Sequence, residues 1–244
     1  MDVSIVITTY NYAAYLEECI ASCLSQLNTN LEFEVIVIDD GSTDQTAEIM
    51  KGLMNSKLRN FRIENVGIEK ASSYGFKKAR GRYIVRVDAD DKLYPNYLSV
   101  LQTYLQDDIE FYYPDYSVID SSGNVTEEVA LPVFEKEEIL QRGDFLATGT
   151  LYSADALNRF NGYSTLIKNC GLENYELILR FIKSGVNGLH IPCKLFCYRR
   201  HSSNISTIKK DKIIQYGQNL FLQMNLGKYT TNKFHPYKLK VGVE

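Results

Sequence analysis

The sequence predicts an α/β sandwich: a central, mostly parallel sheet between helices, with a mixed carboxyl-terminal part. Three observations predict it. Short β-branched runs recur at Val3–Thr8, Phe33–Asp39 and Arg82–Asp88, the composition of buried strands. Segments with helical spacing separate them, as parallel βαβ units require. After residue 105 the alternation gives way to strands and helices in irregular order.

Each element has its own signal. "VSIVIT" is the first strand, and Leu16, Ile20, Cys23, Leu24 and Leu27 give Ala14–Leu27 a helical stripe. "FEVIVID" is the second strand. Ser42 and Gln45 have capping-box spacing for the helix that follows. "FRIE" (Phe61–Glu64) is a short third strand. Ile68–Ala79 is a helix with Gly81 at its C′ position. "RYIVRVD" is the fourth strand, and Pro95 starts a helix over Asn96–Leu105. Further on, Ile109–Asp120, Ala147–Ser153 and Lys194–His201 read as strands, with a turn at Ser121–Asn124. Ser153 caps a short helix, Glu173–Lys183 is a helix stopped by Gly185, and Lys209–Met224 is the last helix. With no repeat and no low-complexity linker, residues 1–225 read as one domain. Its regularly alternating half is about 1–105, its mixed half about 106–225, and 226–244 form a basic tail.

Charge excludes some functions. There are 27 Lys+Arg against 30 Asp+Glu, a net charge of −3, which argues against nucleic acid as a partner. No apolar run reaches the length of a membrane span. "MDVSIVITTYN" has no basic n-region or cleavage site, so the cytoplasm is the expected compartment. Lys228, Lys233, Lys238 and Lys240 in the tail either touch anionic lipid peripherally or are simply solvated. Five cysteines without a secretion signal read as free thiols. Cys193, Cys197 and His201 would share a strand face, but their spacing matches no zinc pattern.

Ligands of parallel sheets bind beyond the carboxyl ends of the strands. That rule gathers Thr8-Thr9-Tyr10-Asn11, Asp39-Asp40-Gly41-Ser42 and Asp88-Ala89-Asp90-Asp91 into one cleft. Carboxylates so placed suit a hard divalent cation, Mg²⁺ or Mn²⁺, with phosphates completing its shell. The competing reading of the Asp cluster is a solvated acidic turn before a helix.

Four segments occur in order: "SIVITTYNYAAYLEECIASCLSQ", "FEVIVIDDGSTDQT", "GIEKASSYGFKKARGRYIVRVDADDKLYP" and "LFCYRRHSSNIS". As a set they resemble the family 2 glycosyltransferases of the GT-A (Rossmann-like α/β/α) fold, over about Val3 to Ile205. The resemblance implies an inverting enzyme that uses a nucleoside-diphosphate sugar, UDP-linked, and a glycan or lipid-linked acceptor in polysaccharide biosynthesis. By position it implies that Thr8, Thr9, Tyr10 and Asn11 cradle the nucleotide and Asp39 contacts the base. Asp88 would bind ribose and metal, Asp90 and His201 the metal, and Asp91 would orient the turn or reach the donor sugar. Lys70, Arg199 and Arg200 are candidates for the diphosphate, against a reading as ordinary surface charges.

Two departures stand out. The family's general base is an Asp following a Glu at a helix start; here "GLENYELILRF" has Glu173 followed by Asn174. A carboxamide cannot take the acceptor's proton. Glu173 then serves as base, or Glu176 or Asp144 does, or the chain is an altered transferase or a nucleotide-sugar binding module. In "KASSYG", Ser72 and Ser73 replace the family's Arg-Asn, and Lys70 stands in only in part. A nucleotidyltransferase is disfavoured, since "TTYNYAAYLEE" has neither glycine nor a basic residue to handle a triphosphate.

Overall fold

A computed structural model describes residues 1–142, 148–166, 169–202, 204 and 210–233. Asp144, Ala147, Lys168, Lys209 and the tail beyond Lys233 lie outside the described residues.

The first half builds strands β1 (Val3–Thr9), β2 (Phe33–Asp39), β3 (Leu58–Arg62), β4 (Tyr83–Asp88) and β5 (Lys92–Leu93). Among them lie helices α1 (Ala13–Leu24), α2 (Thr46–Gly52) and α3 (Ile68–Lys78), with α4 (Tyr97–Leu101) after. The second half adds β6 (Phe111–Ile119), β7 (Val125–Val129), α5 (Lys136–Arg142), β8 (Leu151–Ser153) and α6 (Ala154–Arg159). It ends with α7 (Glu173–Lys183), β9 (Gly188–Arg199) and α8 (Lys210–Gln223). One sheet runs β3-β2-β1-β4-β8-β6-β9-β5, with β7 on β6. β1 to β4 are mutually parallel. β8 is antiparallel to both β4 and β6, while β6 and β9 run parallel. The predicted α/β sandwich with a mixed second part is therefore what forms.

The strands alternate between two cores because their side chains alternate between faces. Val3, Ile5 and Ile7 pack with Leu16 and Ile20 of α1 and Leu98 and Leu101 of α4. Val6, Ile36 and Ile38 pack on the other face, with Ala71 of α3 and Leu177, Ile178 and Phe181 of α7. Such strands are buried on both faces, which is why they read as continuous apolar runs.

Several boundaries differ from the sequence expectation, each for a local reason. α1 stops at Leu24, because Gln26 and Leu27 bond instead to the carbonyls of Tyr94 and Pro95. Ser42 does not cap α2; its Oγ accepts from the Asn11 amide at 2.9 Å, and the helix begins at Thr46, whose amide bonds to Asp44. Gly81 is not a left-handed C′ residue. It is small because a Cβ there would lie 2.6 Å from the Ser4 amide nitrogen. β3 sits earlier, at Leu58–Arg62, α4 is shorter, and β9 begins at Gly188 because it pairs along β6. Gly185 does stop α7, with φ +71°. β5, β7 and α5 carry no periodicity that short elements could show.

Candidate active site

Register builds the site. Thr8 lies beside Asp88 across the β1–β4 pair, and Thr9 beside Asp39 across β1–β2. The loops after β1 and β2 are then clasped together. Asn11, at φ +59°, accepts the Thr43 amide on its Oδ1 at 2.7 Å. Asp39 is fully buried, accepting the Ser42 amide and an Arg62 guanidinium nitrogen at 2.8 Å each. Asp40 fixes the turn before α3 by accepting the Val66 and Gly67 amides. Tyr10 is exposed, while the Thr8 and Thr9 hydroxyls are shielded and have no partner. Lys70 is exposed in the first turn of α3, and the Ser72 and Ser73 hydroxyls are shielded and unpaired.

The three aspartates after β4 have three different neighbours. Asp88 is held by Arg86, whose Nη2 donates to both its oxygens at 2.8 Å, and by the Thr148 hydroxyl at 3.1 Å. Asp90 Oδ2 lies 3.0 Å from His201 Nε2 and 3.3 Å from Asn204 Nδ2. Asp91 Oδ1 accepts the Arg199 amide at 2.8 Å, and its Oδ2 is shielded without a partner. Burial pushes the Asp90 carboxyl up, and Asp88 adds to this while His201 opposes it. Burial also pushes Asp91 well up, helped by Asp90 and Asp88. At Asp90 and Asp91 burial, with the neighbouring carboxylates adding to it, thus favours the protonated form.

β5 explains how His201 arrives. Its antiparallel pairing of Lys92 with Cys197 continues back toward Asp90 and Asp91 and forward to the end of β9. His201 is then stacked on Tyr15, ring centroids 5.2 Å apart. Arg199 does not present its guanidinium to a diphosphate, contrary to the sequence expectation. It is buried over the Tyr15 ring, donating to the carbonyls of Asp90 and Asp120 and to Glu18. Arg200 instead faces Glu127 on β7. Cys19, Cys23 and Cys197 are buried and Cys170 and Cys193 half-buried, all as free thiols.

The expected metal ligands are only partly gathered. Asp90 and His201 meet, but Asp88 is turned to Arg86. Among the described residues, only Glu69, Cys170 and Glu173 have ligand atoms all within 4.8 Å of one another. Both Glu69 oxygens there already accept the Asn169 and Cys170 amides. Of the metal ligands expected from the sequence, Asp90 and His201 are the pair the structure brings into contact.

The far end of the site starts at α7. Glu173 is buried; its Oε1 accepts Arg86 Nη1 at 2.8 Å and its Oε2 is unpaired. Asn174 is buried on the face with Leu177, Ile178 and Phe181, and its Oδ1 accepts the Tyr163 hydroxyl. Glu176 pairs with Arg180 and is not free to act as base. Arg86 therefore bridges Asp88 and Glu173, with its Cζ 5.5 Å from the Tyr163 ring centroid. Burial works against its charge, yet Asp88, Tyr163 and Glu173 together hold its pKa well above the ordinary value. Arg86 was missed in the sequence. Its signal was an arginine inside the buried run "YIVRVD", where a charge requires partners.

The sequence model of glycosyl transferase family 2 matches residues 4–163. The chain belongs to glycosyl transferase family 2. This family 2 chain is 31% identical over 219 residues to the chondroitin synthase of Escherichia coli, covering 86% of this chain and 30% of that protein. It is 30% identical over 215 residues to the hyaluronan synthase of Pasteurella multocida, covering 85% of this chain and 21% of that protein. The chain thus spans less than a third of the length of these relatives. Among solved structures, Staphylococcus aureus TarS 1–349 in complex with UDP-GlcNAc aligns with a TM-score of 0.74 at 18% identity, covering 93% of this chain and 67% of that one. The mannosyltransferase PcManGT of Pyrobaculum calidifontis, in complex with GDP-Man and Mn²⁺, aligns with a TM-score of 0.69 at 17% identity, covering 93% and 65%. Those two likenesses show the GT-A fold.

Proposed function

We propose that this family 2 chain transfers a sugar, with inversion, from a UDP-sugar to the hydroxyl of a glycan or lipid-linked acceptor in polysaccharide assembly, using Mn²⁺ or Mg²⁺. The observation that carries the reading is the convergence of Asp88, Asp90 and His201 with Glu173 at the carboxyl edge of β1, β2 and β4. Relatives that are polysaccharide synthases and neighbours solved with nucleotide sugars support it. In this reading residues 1–225 form one transferase unit, nucleotide half first.

The roles follow from placement. Thr8, Thr9, Tyr10 and Asn11 line the nucleotide cradle at the end of β1. Asp39, braced by Arg62, marks the base side. Asp88 faces the donor, Asp91, buried on the Arg199 amide, orients the turn, and Lys70 is exposed in the first turn of α3. Asp90 and His201 would hold the cation, which would supply Lewis-acid stabilisation of the leaving diphosphate, while Asp88 is turned to Arg86. Glu173 takes the acceptor proton, its Oε1 held by Arg86. Asn174 does not take it; its oxygen already accepts from Tyr163. The test is turnover of a donor panel with Mn²⁺ by wild type and Asp90→Ala. Wild-type turnover lost in the variant is expected, and full activity of Asp90→Ala overturns the metal role.

The second reading is a nucleotide-sugar binding module. Asn174 at the base position favours it. Calorimetry would then show UDP binding with Mn²⁺, no donor would turn over, and Asn174→Asp would change neither. No described helix is long and apolar enough to cross a membrane.

A further inference from the structure

We infer that Glu69, in the first turn of α3, is a positioning residue for the acceptor end of the site. It clasps the loop ahead of α7 and so sets where Glu173 stands; this rests on the reading of Glu173 as base. Glu69 is only 1% exposed. Its Oε2 accepts the Asn169 amide at 2.9 Å, and its Oε1 accepts the Cys170 amide at 2.8 Å. The clasp is reciprocal, since Asn169 Oδ1 accepts the Ile68 amide at 3.1 Å. Two segments 100 residues apart in the chain are thereby held at one point.

The chemistry calls for a carboxylate. Both groups that it meets are donors, and only a side chain that accepts on both oxygens satisfies two adjacent amides. The charge is tolerated in a buried place because the two amides solvate it and the first turn of α3 favours an anion. The loop leaves little slack beyond the clasp. Asn169 and Gly171 hold left-handed backbone, φ +53° and +71°, and the Leu172 amide bonds to Cys170 Sγ at 3.4 Å. Only Gly171 and Leu172 separate Cys170 from Glu173.

The clasp is itself anchored. The Val66 and Gly67 amides just ahead of α3 bond to Asp40, at the end of β2. β2 thus fixes the start of α3, α3 fixes the loop, and the loop delivers Glu173 to Arg86 on β4. The three side chains lie close: Glu69, Cys170 and Glu173 each place a ligand atom within 4.8 Å of the others. The donor turns keep bonds of their own, Asp39 with the Ser42 amide, Asn11 with the Thr43 amide and Asp91 with the Arg199 amide. Loss of the clasp should therefore disturb the acceptor end alone.

The experiment compares full-chain Glu69→Ala, Glu69→Gln and Asn169→Gly with wild type. It reads kcat, donor KM, UDP/Mn²⁺ affinity by calorimetry, and hydrogen–deuterium exchange over residues 171–176. Glycine accepts the left-handed backbone at 169, so that variant keeps the test open if Glu69→Ala does not fold. Displacing a reacting group by about 1 Å can cost about 100-fold. We expect kcat to fall by about 10- to 100-fold in Glu69→Ala, and by less in Glu69→Gln and Asn169→Gly. Donor KM and UDP/Mn²⁺ affinity should not change, and exchange should quicken over 171–176. In a Glu173→Gln background the Glu69→Ala loss should vanish, because it acts through Glu173. Wild-type kcat in every folded variant, or losses that multiply in the double variant, overturns the positioning role while the base reading stands. Glu173→Gln at wild-type turnover, or a wild type that turns over no donor, sinks the base reading instead. The clasp is then judged by exchange: protection lost in Glu69→Ala keeps it, and protection retained overturns it.

Discussion

The donor end and the acceptor end of the site handle charge in opposite ways. At the donor end Asp88, Asp90 and Asp91 crowd together, with His201 as the partner of Asp90 and an oxygen of Asp91 left unpaired. At the acceptor end each charged group has a protein partner: Glu173 with Arg86, Glu176 with Arg180. One end packs three carboxylates side by side; the other pairs each carboxylate with an arginine, although Glu173 Oε2, like Asp91 Oδ2, has no partner. Arg86 joins them, since it also holds Asp88. The difference teaches that the departure at Asn174 did not leave a gap. The position is filled by a neutral amide bonded to Tyr163, and a buried carboxylate, Glu173, stands one residue back.

The two ends part most sharply under Glu173→Gln and Asp90→Asn. Glu173→Gln should lower transfer by about 100- to 10,000-fold, the usual contribution of a general base. It should leave the melting-temperature rise caused by UDP with Mn²⁺ intact. Asp90→Asn should abolish that rise. A Glu173→Gln enzyme with wild-type turnover would move the base elsewhere and erase the contrast.

Cutting the link comes next. Arg86→Met leaves two carboxylates facing each other without their shared cation. Arg86 is only 3% exposed, and breaking such a buried pair costs about 3–5 kcal/mol. Urea denaturation should show a loss of that size, with Arg86→Lys falling between. A loss below about 1 kcal/mol, the range of surface pairs, would mean the bridge is incidental.

A smaller effect tests the charge imbalance itself. The carboxyls of Asp90 and Asp91 are raised from an ordinary value of 3.8. A raised carboxyl binds its proton more tightly in the folded state. It therefore contributes stability below pH 3.8 that is lost as pH rises through the folded value. Mn²⁺ competes with those protons. Its stabilisation, read by thermal melts, should be larger at pH 7.5 than at pH 5. Equal stabilisation at both would show that the aspartates do not hold the cation.

The parallel half of the fold was legible in the sequence because buried strands leave continuous β-branched runs. The strand-end rule alone then gathers Thr8–Asn11, Asp39 and Asp88–Asp91. The mixed half was less legible, since β5 has two residues and β7, at Val125–Val129, is largely exposed. Missing β5 hid why His201 reaches Asp90 and why Arg199 is consumed on the way. Arg86 was hidden differently: its partners lie 2 and 87 residues away, and only packing reveals the second.

The smallest effect concerns Tyr163, which belongs to the acceptor end alone. Tyr163→Phe keeps the ring against Arg86 and Phe76 and removes only the hydroxyl that donates to Asn174. Asn174 is buried, so its oxygen would be left without that donor. Loss of one neutral hydrogen bond should cost about 1 kcal/mol of stability, read by urea denaturation. Because the hydroxyl's partner is Asn174, UDP/Mn²⁺ affinity should not change, while the KM for acceptor should rise. A change in nucleotide affinity instead would show that Tyr163 acts through Arg86 on the donor end, and that the two ends are one electrostatic unit.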